Sequence, residues 1–155
     1  MSQSVIDLEA YKNTYEQLKQ AVQGLTDEQL KRKEAPGKWS VTEVLSHLAD
    51  HSLIFSFRIR KLISETNVQL PGFQQDLWVS ESKANEGSAS DYLSLFQALV
   101  TFNTLLFGRL SAEDWNKSGL NFKGEPVTAA ESLAAFTKHV QTHLAQIERI
   151  KQTLQ

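Results

Sequence analysis

The chain has 155 residues, 41% of them hydrophobic and 22% charged, which predicts one compact globular domain over 1–155 with a sizeable core. Its formal net charge of −2 argues against nucleic-acid binding, which needs a concentrated positive face. The absence of cysteine excludes disulfides, thiolate metal ligands and a cysteine nucleophile.

Apolar residues recur every three to four positions in four segments, a spacing that predicts α-helices. The predicted helices span about 4–23, 41–64, 89–108 and 129–153. No segment shows the alternation of apolar and polar residues that indicates a strand. The prolines, Pro36, Pro71 and Pro126, all fall between the helices, where they break no helical hydrogen bond.

The second and fourth helices begin with capping boxes, at Ser40–Glu43 and Thr128–Glu131. In this motif the cap hydroxyl and the carboxylate three residues later satisfy backbone amides reciprocally. Trp39 and Val44 occupy the two positions of a hydrophobic staple around the first of these caps. The sequence therefore marks both helix starts sharply.

Two shorter helix starts follow the first and third helices, at Leu25–Leu30 and Leu110–Trp115. Their similarity suggests two related hairpins, each made of a helix, a short turn and a second helix. The connection between the hairpins, about 65–88, is too long for a tight turn but suits the crossover found in some four-helix bundles. The prediction is an all-α four-helix bundle of two helical hairpins joined by a long crossover loop.

The four histidines of the chain form two pairs with i,i+4 spacing, His47 with His51 and His139 with His143. Residues spaced in this way share a helix face about 6 Å apart, so their imidazoles can bind one ion. A facing helix can supply a third ligand, and three protein ligands leave a position open for water or substrate. The alternative is that the histidines are hydrogen-bonded core residues.

Three stretches of the sequence, taken in order, match a known family pattern: PGKWSVTEVLSHLADH…FSFRIR from residue 36, LPGFQQDLW from residue 70 and GEPVTAAESLAAFTKHVQTH from residue 124. Together they resemble the DinB superfamily of metal-dependent proteins. The resemblance implies a four-helix bundle with one divalent metal, commonly zinc or nickel, held by His47, His139 and His143. Members of this family include S-transferases that use low-molecular-weight thiols, a thiol-dependent isomerase and proteins described as hydrolases. Dimeric relatives suggest a homodimer.

Four further residues are candidates for the site. His51 is either a core histidine or a catalytic group beside the metal. Arg58 lies about 16 Å beyond His47 along the helix and can hold an anionic part of a substrate or thiol, or pair with a carboxylate such as Asp76. On the crossover loop, Asp76 is a candidate general base and Trp78 a candidate substrate-binding residue. A surface position or an arginine partner is the alternative for Asp76.

These observations predict a metal-dependent thiol S-transferase or hydrolase, in which the metal activates a thiol or water to attack a small-molecule substrate. A non-catalytic metal-binding or stress-associated bundle is the alternative, favoured if His51 closes the site as a fourth ligand. A helical interaction module without metal is a third possibility. Because no apolar run reaches roughly 20 residues and residues 1–10 lack a signal-peptide pattern, we expect a cytoplasmic protein.

Overall fold

Four long helices form the body of the protein, as the sequence predicts. The computed structural model describes residues 6–154. Its elements in chain order are α1 (Leu8–Val22), α2 (Asp27–Lys31), α3 (Val41–Ser64), α4 (Gln75–Glu81), a 3-10 turn (Ala84–Glu86), α5 (Ala89–Phe107), α6 (Ala112–Trp115), β1 (Ser118–Leu120), β2 (Pro126–Thr128) and α7 (Ala129–Thr153). The four-helix bundle is confirmed. None of the helices described is both long and apolar enough to cross a bilayer.

The bounds of α3 and α7 agree with the predicted ones, because both capping boxes form. The first helix begins later than predicted. Asp7 is its N-cap, and its carboxylate accepts a hydrogen bond from the Ala10 amide at 2.9 Å. Residues 4 and 5 of the predicted first helix lie outside the described residues.

Long helices that follow each other in the first or second half of the chain pack mainly against helices of the other half rather than against each other. Helix α1 packs mainly against α5 and α7, and α3 packs mainly against the same two helices. Helices α3 and α7 run antiparallel, since Phe55 stacks on Phe136 at 4.5 Å while His47, two turns earlier, lies 4.7 Å from His143, two turns later. The two long helices of each predicted hairpin therefore occupy opposite corners of the bundle.

Helices α1 and α7 are parallel neighbours. The Tyr11 ring lies 5.8 Å from the Phe136 ring, and further along both helices the Gln141 side chain donates a hydrogen bond to Gln17 at 2.8 Å. Contacts therefore advance in the same direction on both helices.

Helices α3 and α5 are also parallel, which explains the length of the crossover. Ser40, at the start of α3, donates a hydrogen bond to Asn85, just before α5, and Ser56 accepts one from Asn103 further along. The chain leaves α3 at one end of the bundle and must enter α5 at the other. Since the 24 residues of α3 extend about 36 Å, only a long connection can return that distance.

The returning crossover is more ordered than the predicted loop. It contains α4 and the 3-10 turn, and its first part pairs with β1 through Leu70 and Val68, which bond the two backbone groups of Leu120 at 2.7 and 2.8 Å. A Cβ at Gly119 would lie 2.9 Å from the Val68 carbonyl oxygen, so only glycine permits this approach. Strand β1 pairs antiparallel with β2, and these three-residue strands are too short to show the alternation on which strand prediction depends.

A buried tyrosine joins the four helices at the centre of the core. The Tyr11 side chain is inaccessible to solvent, and its ring lies 5.3 to 5.9 Å from those of Phe55, Phe107 and Phe136. Its hydroxyl accepts a hydrogen bond from Asn103 at 3.0 Å, and burial raises the pKa of Tyr11 to about 12. The Tyr11 hydroxyl is thus a buried polar group that has a hydrogen-bond partner inside an aromatic core.

Asn103 is the hub of this buried polar network. Its amide also donates to Ser56 Oγ at 2.8 Å, and its carbonyl oxygen accepts from Arg60 Nη1 at 2.8 Å. Arg60 reaches inward from the surface, and its Cζ lies 4.8 Å from the centroid of the Phe102 ring. The Phe102 side chain is itself 60% exposed.

Candidate metal centre

Antiparallel packing of α3 and α7 brings three of the predicted site histidines together. Nε2 of His47 lies 3.0 Å from Nε2 of His139, and the His143 ring centroid lies 4.7 and 4.4 Å from those of His47 and His139. One nitrogen from each of the three lies within 4.8 Å of the other two. Nitrogens on a tetrahedral zinc with bonds of 2.0–2.1 Å are about 3.3 Å apart, so small ring rotations fit this cluster to one ion.

The capping box at the start of α3 fixes this helix two turns before His47. Ser40 Oγ accepts from the Glu43 amide at 3.1 Å, and the Glu43 carboxylate accepts from the Ser40 amide at 3.0 Å. Lys33 also pairs with this carboxylate at 3.0 Å. Glu43 is therefore fully engaged in the cap and does not extend to the histidines.

Gln146 orients the third histidine, and sequence reasoning missed it. The Gln146 carbonyl oxygen lies 2.7 Å from His143 Nδ1. Because that oxygen can only accept, Nδ1 carries the proton and Nε2 presents its lone pair for metal binding. Gln146 lies three residues after His143, on the same face of α7, so the i,i+3 spacing was the available signal.

Burial keeps the three imidazoles uncharged. It lowers the pKa of His47 to about 3, with the neighbouring His143 and His139 adding repulsion. Burial, with His143 nearby, also lowers the pKa of His139 to about 4. The pKa of His143 is lowered by burial as well, although its hydrogen bond to Gln146 opposes the shift. All three therefore have free lone pairs near neutral pH.

His51 lies beside this cluster but outside it. Its ring stacks on Phe136 with centroids 5.3 Å apart and planes 3° apart, and it lies 4.1 Å from the His139 ring. Within residues 6–154, the group of nitrogens close enough to share an ion contains His47, His139 and His143 and does not include His51. Its Nδ1 is buried without a hydrogen-bond partner, and burial lowers its pKa to about 2.

Aromatic side chains enclose the histidines from two directions. The Trp39 ring lies 5.1 Å from His47 and stacks near His143 at 6.4 Å, so the predicted staple residue also contacts the cluster. The Phe73 ring, on the crossover, lies 6.4 Å from His47 and 6.1 Å from His51. The crossover therefore passes directly over the site.

Asp76 and Trp78 lie on helix α4, not on a loop as predicted. The Trp78 ring contacts Phe73 at 4.8 Å and is separated from the histidines by it. The Asp76 side chain is exposed in the first turn of α4. The predicted pairing of Asp76 with Arg58 is wrong, because Arg58 donates instead from Nε and Nη2 to the Pro71 carbonyl oxygen at 3.1 and 2.8 Å.

A cavity of about 260 Å³ opens next to His139 and His51. The side chains that line it come from α3, the crossover, the β1–β2 hairpin and α7: His51, Phe55, Arg58, Leu70, Asn121, Phe122, Val127, Ser132, Ala135, Phe136 and His139. The structure thus brings the substrate-binding candidate Arg58 to the same cavity as the histidines, whereas Trp78 lies apart from it.

The profile of the DinB superfamily matches residues 10–147 of this sequence. The chain belongs to the DinB superfamily. A relative from Geobacillus thermodenitrificans (strain NG80-2), provisionally named a metal-dependent hydrolase, is 30% identical over 142 residues, covering 86% of this chain and 76% of the relative. Another from Oceanobacillus iheyensis, with the same provisional name, is 24% identical over 91% of this chain and 79% of its own.

Two solved structures also resemble this chain. YfiT from Bacillus subtilis, described as a four-helix bundle of unusual topology, superposes with a TM-score of 0.89 at 22% identity, covering 99% of this chain and 93% of YfiT. A mycothiol-dependent maleylpyruvate isomerase superposes with a TM-score of 0.71 at 12% identity, over 89% of this chain but 57% of the isomerase. At these identities, both likenesses establish the fold alone.

Proposed function

We propose that this DinB-superfamily chain is a metal-dependent enzyme that acts on a small molecule, either as a thiol S-transferase or as a hydrolase. One observation carries the proposal: three uncharged imidazoles, from His47, His139 and His143, converge beside a cavity. The provisional names of the relatives, metal-dependent hydrolases, support metal-assisted chemistry. The mycothiol dependence of one structural neighbour supports including thiols among the cosubstrates.

In this proposal the three histidines hold one divalent transition metal, zinc or nickel, through nitrogen donors that suit either ion. Such an ion, when bound, lowers the pKa of a water or a low-molecular-weight thiol and so supplies a nucleophile near neutral pH. Gln146 holds the proton of His143 on Nδ1, and the rings of Trp39 and Phe73 keep bulk water away from the histidines.

His51 is the proposed catalytic residue of the chain. Its ring lines the cavity 4.1 Å from His139, and its neutral Nδ1, buried without a partner among the described residues, can accept a hydrogen bond from the attacking group. Because His51 lies outside the three-nitrogen cluster, the geometry favours an open metal position over a closed, non-catalytic site. Asp76 as general base and Trp78 as a substrate-binding residue stay predictions.

The test is the metal content of the untagged protein, measured for the wild type, His139→Ala and His51→Gln. We expect about one zinc or nickel per chain in the wild type and in His51→Gln, and none in His139→Ala. A screen of low-molecular-weight thiols with electrophilic substrates should then show turnover in the wild type and a loss in His51→Gln. A wild type that takes up neither metal on incubation would refute the proposal.

We also propose that the chain forms a homodimer through exposed apolar side chains of α3 and α5. Phe57, Phe102 and Leu105 are 51%, 60% and 62% exposed, and exposed apolar surface is typical of interfaces. A twofold axis would bring these side chains against those of a second copy. Light scattering should report twice the chain mass for the wild type and a monomer for Phe102→Glu; a monomeric wild type would refute it. A cytoplasmic location stays a prediction.

A further inference from the structure

The cavity beside the histidines is lined, among the described residues, by one side chain that carries a full charge. Among the described residues that line it, Arg58 is the one that is ionised near neutral pH, since burial keeps His51 and His139 neutral. A volume of about 260 Å³ is just below the roughly 300–1,000 Å³ of small-molecule sites. The cavity is therefore matched in size to a small ligand.

The guanidinium of Arg58 uses only some of its hydrogen-bond donors within the described residues. Nε and Nη2 share the Pro71 carbonyl oxygen, which holds one edge of the plane against the crossover. Nη1 has no hydrogen-bond partner in residues 6–154, and no carboxylate there lies within ion-pair distance of Arg58. The edge formed by Nη1 and Nη2 is the fork that a carboxylate binds with two parallel hydrogen bonds.

The surroundings make an unpaired cation costly. Arg58 is half-buried between the rings of Phe73 and Phe122, whose centroids lie 6.0 and 5.9 Å from its Cζ. Burial lowers its pKa without an opposing carboxylate. A half-buried charge in an apolar wall is normally paired, so the missing partner points to a ligand.

The remaining walls of the cavity are mainly apolar and lead from Arg58 to the histidines. Phe55 and Phe136 stack at 4.5 Å and are almost fully buried, and the His51 ring stacks on Phe136. His51 lies seven residues before Arg58, about 10 Å along the axis of α3. A ligand anchored at Arg58 would therefore extend a short apolar chain towards His51 and His139.

We propose that this cavity binds the carboxylate of a small, mainly apolar acid, with Arg58 holding the carboxylate and the apolar part lying along Phe55 and Phe136 towards His139. This inference rests on the proposed function in assigning that acid to the reaction at the histidines. The carboxylate belongs either to the substrate or to the thiol cosubstrate, which share this recognition chemistry.

Calorimetric titration of the untagged protein with hexanoate and with its uncharged analogue hexanamide tests the proposal, both without metal and with zinc. We expect hexanamide to bind at least about tenfold more weakly, because it loses a charge-assisted hydrogen-bond pair. Arg58→Gln should reduce hexanoate affinity by a similar factor. Arg149→Gln, which removes the same charge from an exposed position of α7, should leave it unchanged.

A second pair of variants leaves Arg58 and its contact to the crossover intact. Ala135 and Ala134 are adjacent exposed residues of α7, and of the two only Ala135 lines the cavity. Ala135→Met should fill the cavity and abolish hexanoate binding, whereas Ala134→Met should bind as the wild type does. Equal affinity for hexanoate and hexanamide, or hexanoate binding that ignores both Arg58→Gln and Ala135→Met, would overturn the proposal.

The metal dependence separates this proposal from the proposed function. Binding of hexanoate that needs Arg58 but proceeds without zinc supports the carboxylate site even if the histidines bind no metal. Binding that needs zinc and ignores Arg58 places the carboxylate on the ion and overturns the inference alone. In a protein shown to bind zinc, stronger binding of 6-mercaptohexanoate but not of hexanoate with zinc assigns the site to the thiol cosubstrate, and unchanged binding of both assigns it to the substrate.

Discussion

Gln146→Leu tests whether the hydrogen bond to His143 matters for metal binding. The change removes an acceptor 2.7 Å from Nδ1 and keeps a side chain of similar size. The His143 ring is then free to rotate, and its Nε2 becomes a weaker donor. Loss of such a partner reduces metal affinity by about 10- to 100-fold, which corresponds to about 1.4–2.7 kcal/mol.

Zinc affinity is measured by competition with a chromogenic chelator at fixed pH. Gln141→Leu is the matched control, since Gln141 is an exposed glutamine of the same helix whose hydrogen bond goes to Gln17. Gln146→Glu retains an acceptor and should bind zinc at least as tightly as the wild type. Zinc binding by Gln146→Leu that equals the wild type would show that His143 is oriented without Gln146 or is not a ligand.

Three further predictions concern stability. Phe136→Ala should lower the free energy of unfolding in urea by about 3–5 kcal/mol, and a loss below about 1 kcal/mol would contradict the stacked core. Asn103→Leu leaves the Tyr11 hydroxyl without its partner and removes one of the two hydrogen bonds of Arg60, and it should cost at least about 2 kcal/mol in the same assay; an unchanged midpoint would contradict the network. Without metal, the free energy of unfolding should be constant above about pH 6.5 and fall towards pH 4. The folded state holds the pKa values of His47 and His139 below 6.5, so the unfolded chain takes up protons first as the pH falls. A thermal midpoint that stays flat over this range, or a slope unaffected by His51→Phe, would refute this.

Local signals in the sequence account for much of this structure. The capping boxes and the apolar spacing located α3 and α7 because both depend only on neighbouring residues. The same spacing, together with the family resemblance, identified the three clustered histidines. Helix α4 and the β1–β2 hairpin were missed, since seven- and three-residue elements carry too few positions for a periodic pattern.

Other features of the site depend on tertiary structure alone. The apolar character of Trp39 and Phe73 was equally explained by a staple and by the core, and only the fold shows that both rings contact histidines. A carboxylate partner was one of two alternatives for Arg58, but its acceptor is the backbone carbonyl of Pro71, and the side-chain pattern of a sequence does not show such a partner. Periodicity shows which face of a helix is apolar, not which helix covers it.

The diagonal arrangement of consecutive long helices has a consequence for how the chain folds. Neither α1 with α3 nor α5 with α7 can bury its apolar face in a two-helix unit, since each packs mainly on helices from the other half. Polar contacts of α3 with α5 and with the turn before it join residues 43 to 47 positions apart, and those of the other packed pairs join residues 92 to 124 positions apart. Such non-local contacts slow folding relative to bundles with local pairing. Separate halves of the chain, cut within the crossover, should be unfolded alone and gain helical structure only when mixed.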